Sequence, residues 1–334
     1  MNNTPIHLIA EVGTNHNGSV ATGKKLIRKA AHAGADSVKF QMIFPDGLYL
    51  PVEHLAGGAT QPSAVFAKRQ ATALDADGFR ELAAYCREFR VAFSASVFDQ
   101  KGIDLLVELN APYIKIASCD LNNSPLIMRA AATGKRLVIS TGMSDMEEIK
   151  RAIDDARSGG ASDIVLMHCV SVYPCPVGQA NVAFLDTLAA SFDGTLGYSD
   201  HTESSIAAAI AVSKGVTWIE KHVTLDRGSE GFDHAYAMEP AMFEAYVADV
   251  TAAYHASRPP AAKVCDAERD VRRRARRGLY AARRIEPGQT IRQDDVLIVR
   301  PESALAPNQI SDLVGRASTR VIEQYQPLES GMIR

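Results

Sequence analysis

The chain has 334 residues, 46% of them hydrophobic and 22% charged, with a formal net charge of −3. No apolar run approaches the roughly 18 residues of a membrane span, and the near-neutral charge gives no overall support for nucleic-acid binding. A chain of this length outgrows a single core, so a large domain with a smaller satellite is expected.

Met1-Asn2-Asn3-Thr4-Pro5 has no basic region followed by an apolar stretch, so no secretory leader is expected and a cytoplasmic enzyme is the working class. The five cysteines are odd in number and form no CxxC pair, which argues against a disulfide framework and a structural zinc knuckle. Cys119 and Cys169 are read as small buried thiols.

In chain order, β-prone runs at 8–12, 37–41, 91–94, 113–116, 136–140, 164–168, 195–199 and 218–221 alternate with amphipathic or Ala-rich stretches such as 20–33, 75–89, 146–157 and 204–214. Eight strand–helix repeats predict a (β/α)8 TIM barrel, with a doubly wound open sheet as the alternative. Gly34 is expected to stop the first helix, and Ser144 with Glu147 has the spacing of a capping box.

In a barrel of this kind chemistry sits where strands end. The ends offer Glu11 on the first strand, Lys39 and Gln41 on the second, Ser94 and Ser96 on the third, and Lys115 and Ser118 on the fourth. The fifth gives Ser140 and Thr141, and the sixth His168, then Ser171 and Tyr173. The last two give Ser199, Asp200 and His201, then Glu220 and His222.

Parallel barrel strands are usually apolar on both faces, so lysines inside Val38-Lys39-Phe40-Gln41 and Tyr113-Ile114-Lys115-Ile116 need partners. Either they join the hydroxyls as a cradle for a phosphate or carboxylate, or each pairs with a barrel carboxylate such as Glu11 or Glu220. A Schiff-base lysine is a third reading, one with no use for two histidines. His201 and His222 end neighbouring strands across the helix at 204–214. Taken singly each is an ordinary hydrogen-bonded residue, but a pair at strand ends suits Mn, Fe, Co or Zn better than Mg and leaves positions open for water and substrate.

The loop at 226–234 is expected over the barrel mouth, with Asp233 contacting a polyol or capping the loop. A helix at 240–255 then closes the barrel, and Arg258-Pro259-Pro260 reads as a boundary. The basic run at 269–277 is isolated and has no interleaved aromatics, which favours a solvated linker with contacts to the barrel over a nucleic-acid patch. Beyond it lie short strands and turns of a module with little core of its own. The expected division is 1–258 for the barrel, 259–277 for the linker with its arginines at 272–277, and 278–334 for the β-rich module.

The segments IAEVGTNHNGS, GADSVKFQ, IKIASCDLNNSPLI, ISTGMSDMEEI, HCVSVYPCP, GYSDHT, IEKHVTLDR, LYAARRIEPGQTI and VRPESALAP occur in this order. Together they resemble the sialic acid synthase family, which makes N-acetylneuraminate, legionaminate or pseudaminate, and the match runs from about Ile6 to the C-terminus. The resemblance implies a (β/α)8 barrel joined to a C-terminal antifreeze-like (SAF) domain, usually in a domain-swapped homodimer. It also implies a metal-dependent transferase of nonulosonic acid biosynthesis. Such an enzyme condenses phosphoenolpyruvate with a 2-acetamido sugar aldehyde and water, releasing phosphate by C–O cleavage. The sugar would be N-acetylmannosamine or a diacetamido-trideoxyhexose.

Carried onto this chain, the resemblance makes His201 and His222 ligands of a divalent metal, Mn2+ first with Mg2+ or Co2+ as alternatives, and Glu11 a catalytic carboxylate. It gives Lys39, Lys115, Ser118, Ser140 and Ser199 to phosphoenolpyruvate, with Ser96 where threonine is usual. Gln41, Tyr173, Glu220 and Asp233 fall to the sugar, and Arg300 to the partner subunit's site. The chain departs from the family pattern at Ser94-Ala95-Ser96-Val97, at Gly231-Phe232-Asp233 and at Ala237. Phe232 and Tyr236 are expected to add apolar bulk near the mouth, which favours a deoxygenated diacetamido sugar. The competing expectations are a metal-free Schiff-base aldolase and a carbohydrate-binding barrel without turnover. Neither a nucleic-acid nor a membrane partner is expected.

Overall fold

The structure, a computed structural model, describes residues 6–259 and 263–334. The five N-terminal residues read for a leader, and Pro260 of the expected boundary, lie outside the described residues. The chain divides into two compact units, Met1–Arg258 and Pro259–Arg334.

In the first unit the strands are β1 (His7–Gly13), β2 (Ser37–Met42), β3 (Val52–His54), β4 (Thr60–Pro62), β5 (Ala92–Val97), β6 (Tyr113–Ile116), β7 (Arg136–Ser140), β8 (Ile164–His168), β9 (Thr195–Asp200) and β10 (Trp218–His222). Their helices are α1 (Val20–His32), α2 (Ala64–Thr72), α3 (Ala76–Glu88), α4 (Gln100–Glu108), α5 (Ser124–Ala131), α6 (Met146–Ser158), α7 (Phe184–Ser191), α8 (Ile206–Ser213) and α9 (Pro240–Ser257). The strands β1-β10-β9-β8-β7-β6-β5-β2 close into a barrel in which every pairing is parallel. This is the (β/α)8 barrel anticipated from the eight repeats, with the hairpin β3–β4 and helix α2 inserted after β2.

Alternation along the strands sorts the barrel. Leu8, Ala10, Val12, Val38, Phe40, Ile114 and Ile139 face the helices in the main apolar core. Ile9, Tyr113, Val138, Val165, Met167 and Trp218 make a separate apolar cluster. At one end of it His7 stacks on Trp218 with ring centroids 4.0 Å apart, and its Nε2 lies 2.9 Å from Ser37 Oγ. Burial, helped by the Arg136 charge, pushes the His7 pKa down to about 4, so the ring is neutral there. Two residues further along the same strands, on the same face, stand Glu11, Lys39, Lys115 and Glu220. The barrel is therefore sealed at one end and polar at the other.

Helix ends follow local chemistry. Ser19, Asp75 and Asp99 accept backbone N–H groups at the starts of α1, α3 and α4, and Gly34 turns the chain after α1 at φ +95°. The capping box of α6 lies one residue beyond the expected pair. Asp145 accepts from the N–H groups of Glu147 and Glu148, and Glu148 accepts from the Asp145 N–H, while Ser144 donates to the Gly142 carbonyl. Both residues are good caps, and the carboxylate takes the position because it can accept two N–H groups at once.

In the second unit α10 (Asp266–Ala275) occupies most of the stretch expected to be a linker. Its first turn is acidic and its last is basic, which complements the helix dipole. Asp266–Arg269 and Asp270–Arg273 pair one turn apart, and Arg272 reaches Glu302 at 3.3 Å, so the basic run is paired within its own unit. Strands β11 (Gly278–Ala281) and β12 (Val296–Val299) pair antiparallel over a small core that includes Leu279, Ile285, Ile291, Leu313 and Ile322. Among the described residues, no helix is long and apolar enough to cross a membrane.

Replacing Asp145 by Ala is expected to lower stability by about 1 kcal/mol, whereas Ser144→Ala changes it by less than about 0.5 kcal/mol. Denaturant unfolding of the two variants checks this, and a costlier Ser144→Ala would put the cap on Ser144.

Candidate active site

Register brings the site together. Across β1 and its neighbours Glu11 stands opposite both His222 and Lys39, Gln41 stands opposite Ser96, Ser96 opposite Lys115, and Glu220 opposite Ser199. The result is a cavity of about 430 Å³. Its lining includes Glu11, Lys39, Gln41, Ser96, Lys115, Ser118, Ser140, Tyr173, Ser199, His201, Glu220 and His222.

The two lysines are both paired with barrel carboxylates, and both line the one cavity with the hydroxyls. Lys39 Nζ lies 2.5 Å from Glu11 Oε2 and 3.6 Å from Glu220, and donates to Ser96 Oγ at 2.9 Å. Lys115 Nζ lies 3.6 Å from Glu220 and donates to Ser140 Oγ at 2.6 Å. Ser199 Oγ donates to Glu220 Oε1 at 2.8 Å, and Gln41 Nε2 donates to Glu11 Oε1 at 3.1 Å. All four charged groups are buried, so each relies on the others in place of water.

Their proton affinities separate. Burial raises the Glu11 carboxyl to about 7, with the Glu220 charge adding and Lys39 opposing. Burial acts on Glu220 the same way, but Lys115 and Lys39 together outweigh it and hold that carboxylate down at about 2. Burial likewise opposes the Lys39 charge, and Glu11 with Glu220 overcomes it, whereas for Lys115 burial prevails and the pKa is lowered. Of the two carboxyls, Glu11 is thus the one able to exchange a proton near neutral pH.

His201 and His222 face each other with ring centroids 5.6 Å apart. The Val170 carbonyl lies 2.7 Å from His201 Nδ1 and can only accept, so that nitrogen carries the proton and Nε2 keeps its lone pair, 3.4 Å from Ser199 Oγ. Burial brings His201 down to about 3, with His222 contributing, and His222 to about 4. The Nδ1 of His222 is buried without a hydrogen-bond partner. Two neutral imidazoles, one oriented by a backbone carbonyl, are a donor pair suited to a divalent metal. Among the described residues no set of three His, Cys, Asp or Glu side chains is grouped for a metal, so water and substrate oxygens would complete the coordination.

Gly13 makes room on the other side. It sits at φ +58° beside a register shift between β1 and β2, and a Cβ there would lie 2.7 Å from Asp233 Oδ2 and 3.1 Å from Gln41 Nε2. Asp233 accepts from Tyr236 OH at 2.6 Å through Oδ1, while Oδ2 is buried and unpartnered. Tyr173 packs on His201 with ring centroids 4.1 Å apart. Ser118 Oγ accepts from the Gly142 N–H at 3.1 Å.

Two expectations change. Cys169 is buried as expected, but Cys119 is exposed because its position follows the end of β6. Phe232 does not offer a bare apolar face, since the Arg69 guanidinium stacks over its ring 3.4 Å from the centroid. Arg300 keeps its expected place in the C-terminal unit, where it is exposed. Sequence reasoning missed Arg69, which lines the cavity from α2 with Tyr49 and Leu48 beside it. The Gly57-Gly58 turn and the Ser63 cap were the signals for that inserted segment.

A family model described as the NeuB family matches residues 26–259, more than half of the chain. The chain belongs to the NeuB family. A SAF domain matches residues 276–334. Among NeuB relatives, the N,N'-diacetyllegionaminic acid synthase of Legionella pneumophila is 33% identical, over 92% of this chain and 89% of that protein. The N-acetylneuraminate-9-phosphate synthase of Drosophila melanogaster is 31% identical, over 97% and 94%. A solved N-acetylneuraminic acid synthetase from Leptospira borgpetersenii superposes with a TM-score of 0.71 at 28% identity, covering 80% of this chain and 90% of that one.

The Glu11 shift sets a stability window. An unfolded glutamate releases its proton near 4.5 but the folded one near 7, so stability present below pH 4.5 is lost as pH rises to about 7. The unfolding free energy of the native protein minus that of Glu11→Gln should therefore fall by about 3 kcal/mol from pH 4.5 to pH 7. A flat difference in denaturant titrations would mean that Lys39 keeps Glu11 ionised throughout.

Proposed function

We propose that this protein is a nonulosonic acid synthase, condensing phosphoenolpyruvate with the aldehyde of a 2-acetamido sugar and water to give a nine-carbon keto acid and phosphate. The observation that carries the reading is the juxtaposition, in one cavity, of two buried lysines with their serines and a pair of neutral imidazoles. Relatives named as synthases of legionaminic and N-acetylneuraminic acids support the same reading.

Lys39 and Lys115, with Ser96, Ser118, Ser140 and Ser199, pin the phosphate and carboxylate of the enol ester and turn its C3 toward the aldehyde. A divalent ion held by His201 and His222, Mn2+ first, supplies Lewis-acid polarisation of the aldehyde when bound. C3 attacks the aldehyde carbon, and the new bond leaves cationic character at C2. Water adds to C2, and the tetrahedral adduct then loses phosphate by C–O cleavage. Glu11, with its pKa near 7, exchanges the proton that the water and the new hydroxyl require, and Glu220 steadies the cation. Gln41, Tyr173 and Asp233 hold the sugar. The pocket's own lysines are already neutralised by Glu11 and Glu220, so a multiply charged anion needs further positive charge. An ion at His201 and His222 would supply part of it, and Arg300 of one subunit reaches the sugar side of its partner's site in a domain-swapped homodimer.

A Schiff base on Lys115 is the rival, since burial lowers the pKa of that amine. Its contact with Glu220 opposes that fall and favours the ammonium form.

Phosphate release is expected when phosphoenolpyruvate, Mn2+ and an acetamido sugar are all present, and is lost on chelation. Lys115→Met should raise KM for phosphoenolpyruvate by roughly 10- to 100-fold, the worth of one charge-assisted hydrogen bond. Turnover that survives chelation and is trapped by borohydride would favour the rival.

A further inference from the structure

Arg69 stands outside the lysine–serine cradle proposed for the enol phosphate, yet it lines the same cavity and is held at two points. Its guanidinium lies over the Phe232 ring, and Nη1 donates to Thr14 Oγ1 at 3.2 Å. Helix α2, the turn after β1 and the loop after β10 therefore meet at this one side chain. Among the described residues it has no carboxylate within 4.0 Å and no acceptor other than Thr14, and its Nε is buried without a partner. Lys68 lies over the same Phe232 ring at 4.7 Å and, among the described residues, has no carboxylate partner either, so two cations share one aromatic ring.

The location decides what such a group serves. Arg69 also lines a small recess with Thr14, Gln41 and Leu74 that none of the cradle lysines or serines enters. Phe232 adjoins Asp233, whose free Oδ2 converges with Gln41 on Gly13. The stack thus anchors the same loop that presents Asp233. A planar cation with spare donors, held rigid by an aromatic face, is suited to an oxygen acceptor with two lone pairs in a fixed orientation.

We propose that Arg69 is a specificity-determining residue that grips the end of the sugar remote from its aldehyde, through the oxygen of a second acetamido group or of a phosphoryl group. This rests on the synthase reading and deepens it. A sugar with only a hydroxyl or methyl at that end leaves the guanidinium poorly satisfied, so the site discriminates against it.

The test uses the Mn2+-loaded full chain and measures phosphate release with N-acetylmannosamine, its 6-phosphate and a 2,4-diacetamido-trideoxyhexose. Wild type should prefer one of the two acceptor-bearing sugars, and which one tells the acetamido from the phosphoryl source. Arg69→Gln should raise KM for that sugar by about 10- to 100-fold while KM for phosphoenolpyruvate stays within about twofold, and the preference should collapse. Phe232→Leu keeps the guanidinium but removes its support, so it should show the same pattern with a smaller rise. Equal loss for all three sugars, a parallel rise in KM for phosphoenolpyruvate, or a wild-type preference for plain N-acetylmannosamine would overturn the role of Arg69 while leaving the reaction intact. No phosphate release by wild type with any sugar would overturn both.

Discussion

Lys39 and Lys115 point into a barrel interior that elsewhere holds Ile9, Val138, Val165 and Met167, and that placement governs the rest of the site. An unpaired ammonium in such surroundings costs several kcal/mol, so the sequence must supply Glu11 and Glu220 on strands close enough to reach. Burial raises Glu11 toward neutrality against the pull of Lys39, while the two lysines together hold Glu220 ionised, which distinguishes two carboxyls of the same type by environment alone. A cluster of balanced charge is stable without ligand.

Around that cluster the fold contributes position more than chemistry. Parallel register aligns Glu11 with both Lys39 and His222, and the shift at Gly13 opens space where Gln41 and Asp233 converge. The sealed end, with His7 neutral between Trp218 and Ser37, keeps the polar groups at the opposite end of the strands. Neutral imidazoles at 201 and 222 follow from the same burial, and neutrality leaves them basic nitrogens to offer.

Much of this was legible because barrel strands are short apolar runs in which a lysine, glutamate or histidine stands out. All eight runs became barrel strands, and most of the polar residues at their ends line one cavity, while Ser94, Thr141, His168 and Asp200 lie outside its lining. The inserted segment was not legible because α2 buries no residue and so carries no apolar stripe, which hid Arg69. The α6 cap slipped by one residue because Ser144 and Asp145 are both competent. Phe232 was misread because apolar composition says nothing of an aromatic face occupied by a cation. The arginines at 272–277 read as a linker because the acidic partners that make the stretch a helix include Glu302, distant in sequence.

The central claim is that the lysine–serine cradle holds the phosphate intact while water attacks C2. Phosphoenolpyruvate carrying 18O in the oxygen that bridges C2 and phosphorus tests it most directly. Mass spectrometry of the products should find the label in phosphate and none in the keto acid; label retained at C2 of the keto acid would mean P–O cleavage and would contradict the account.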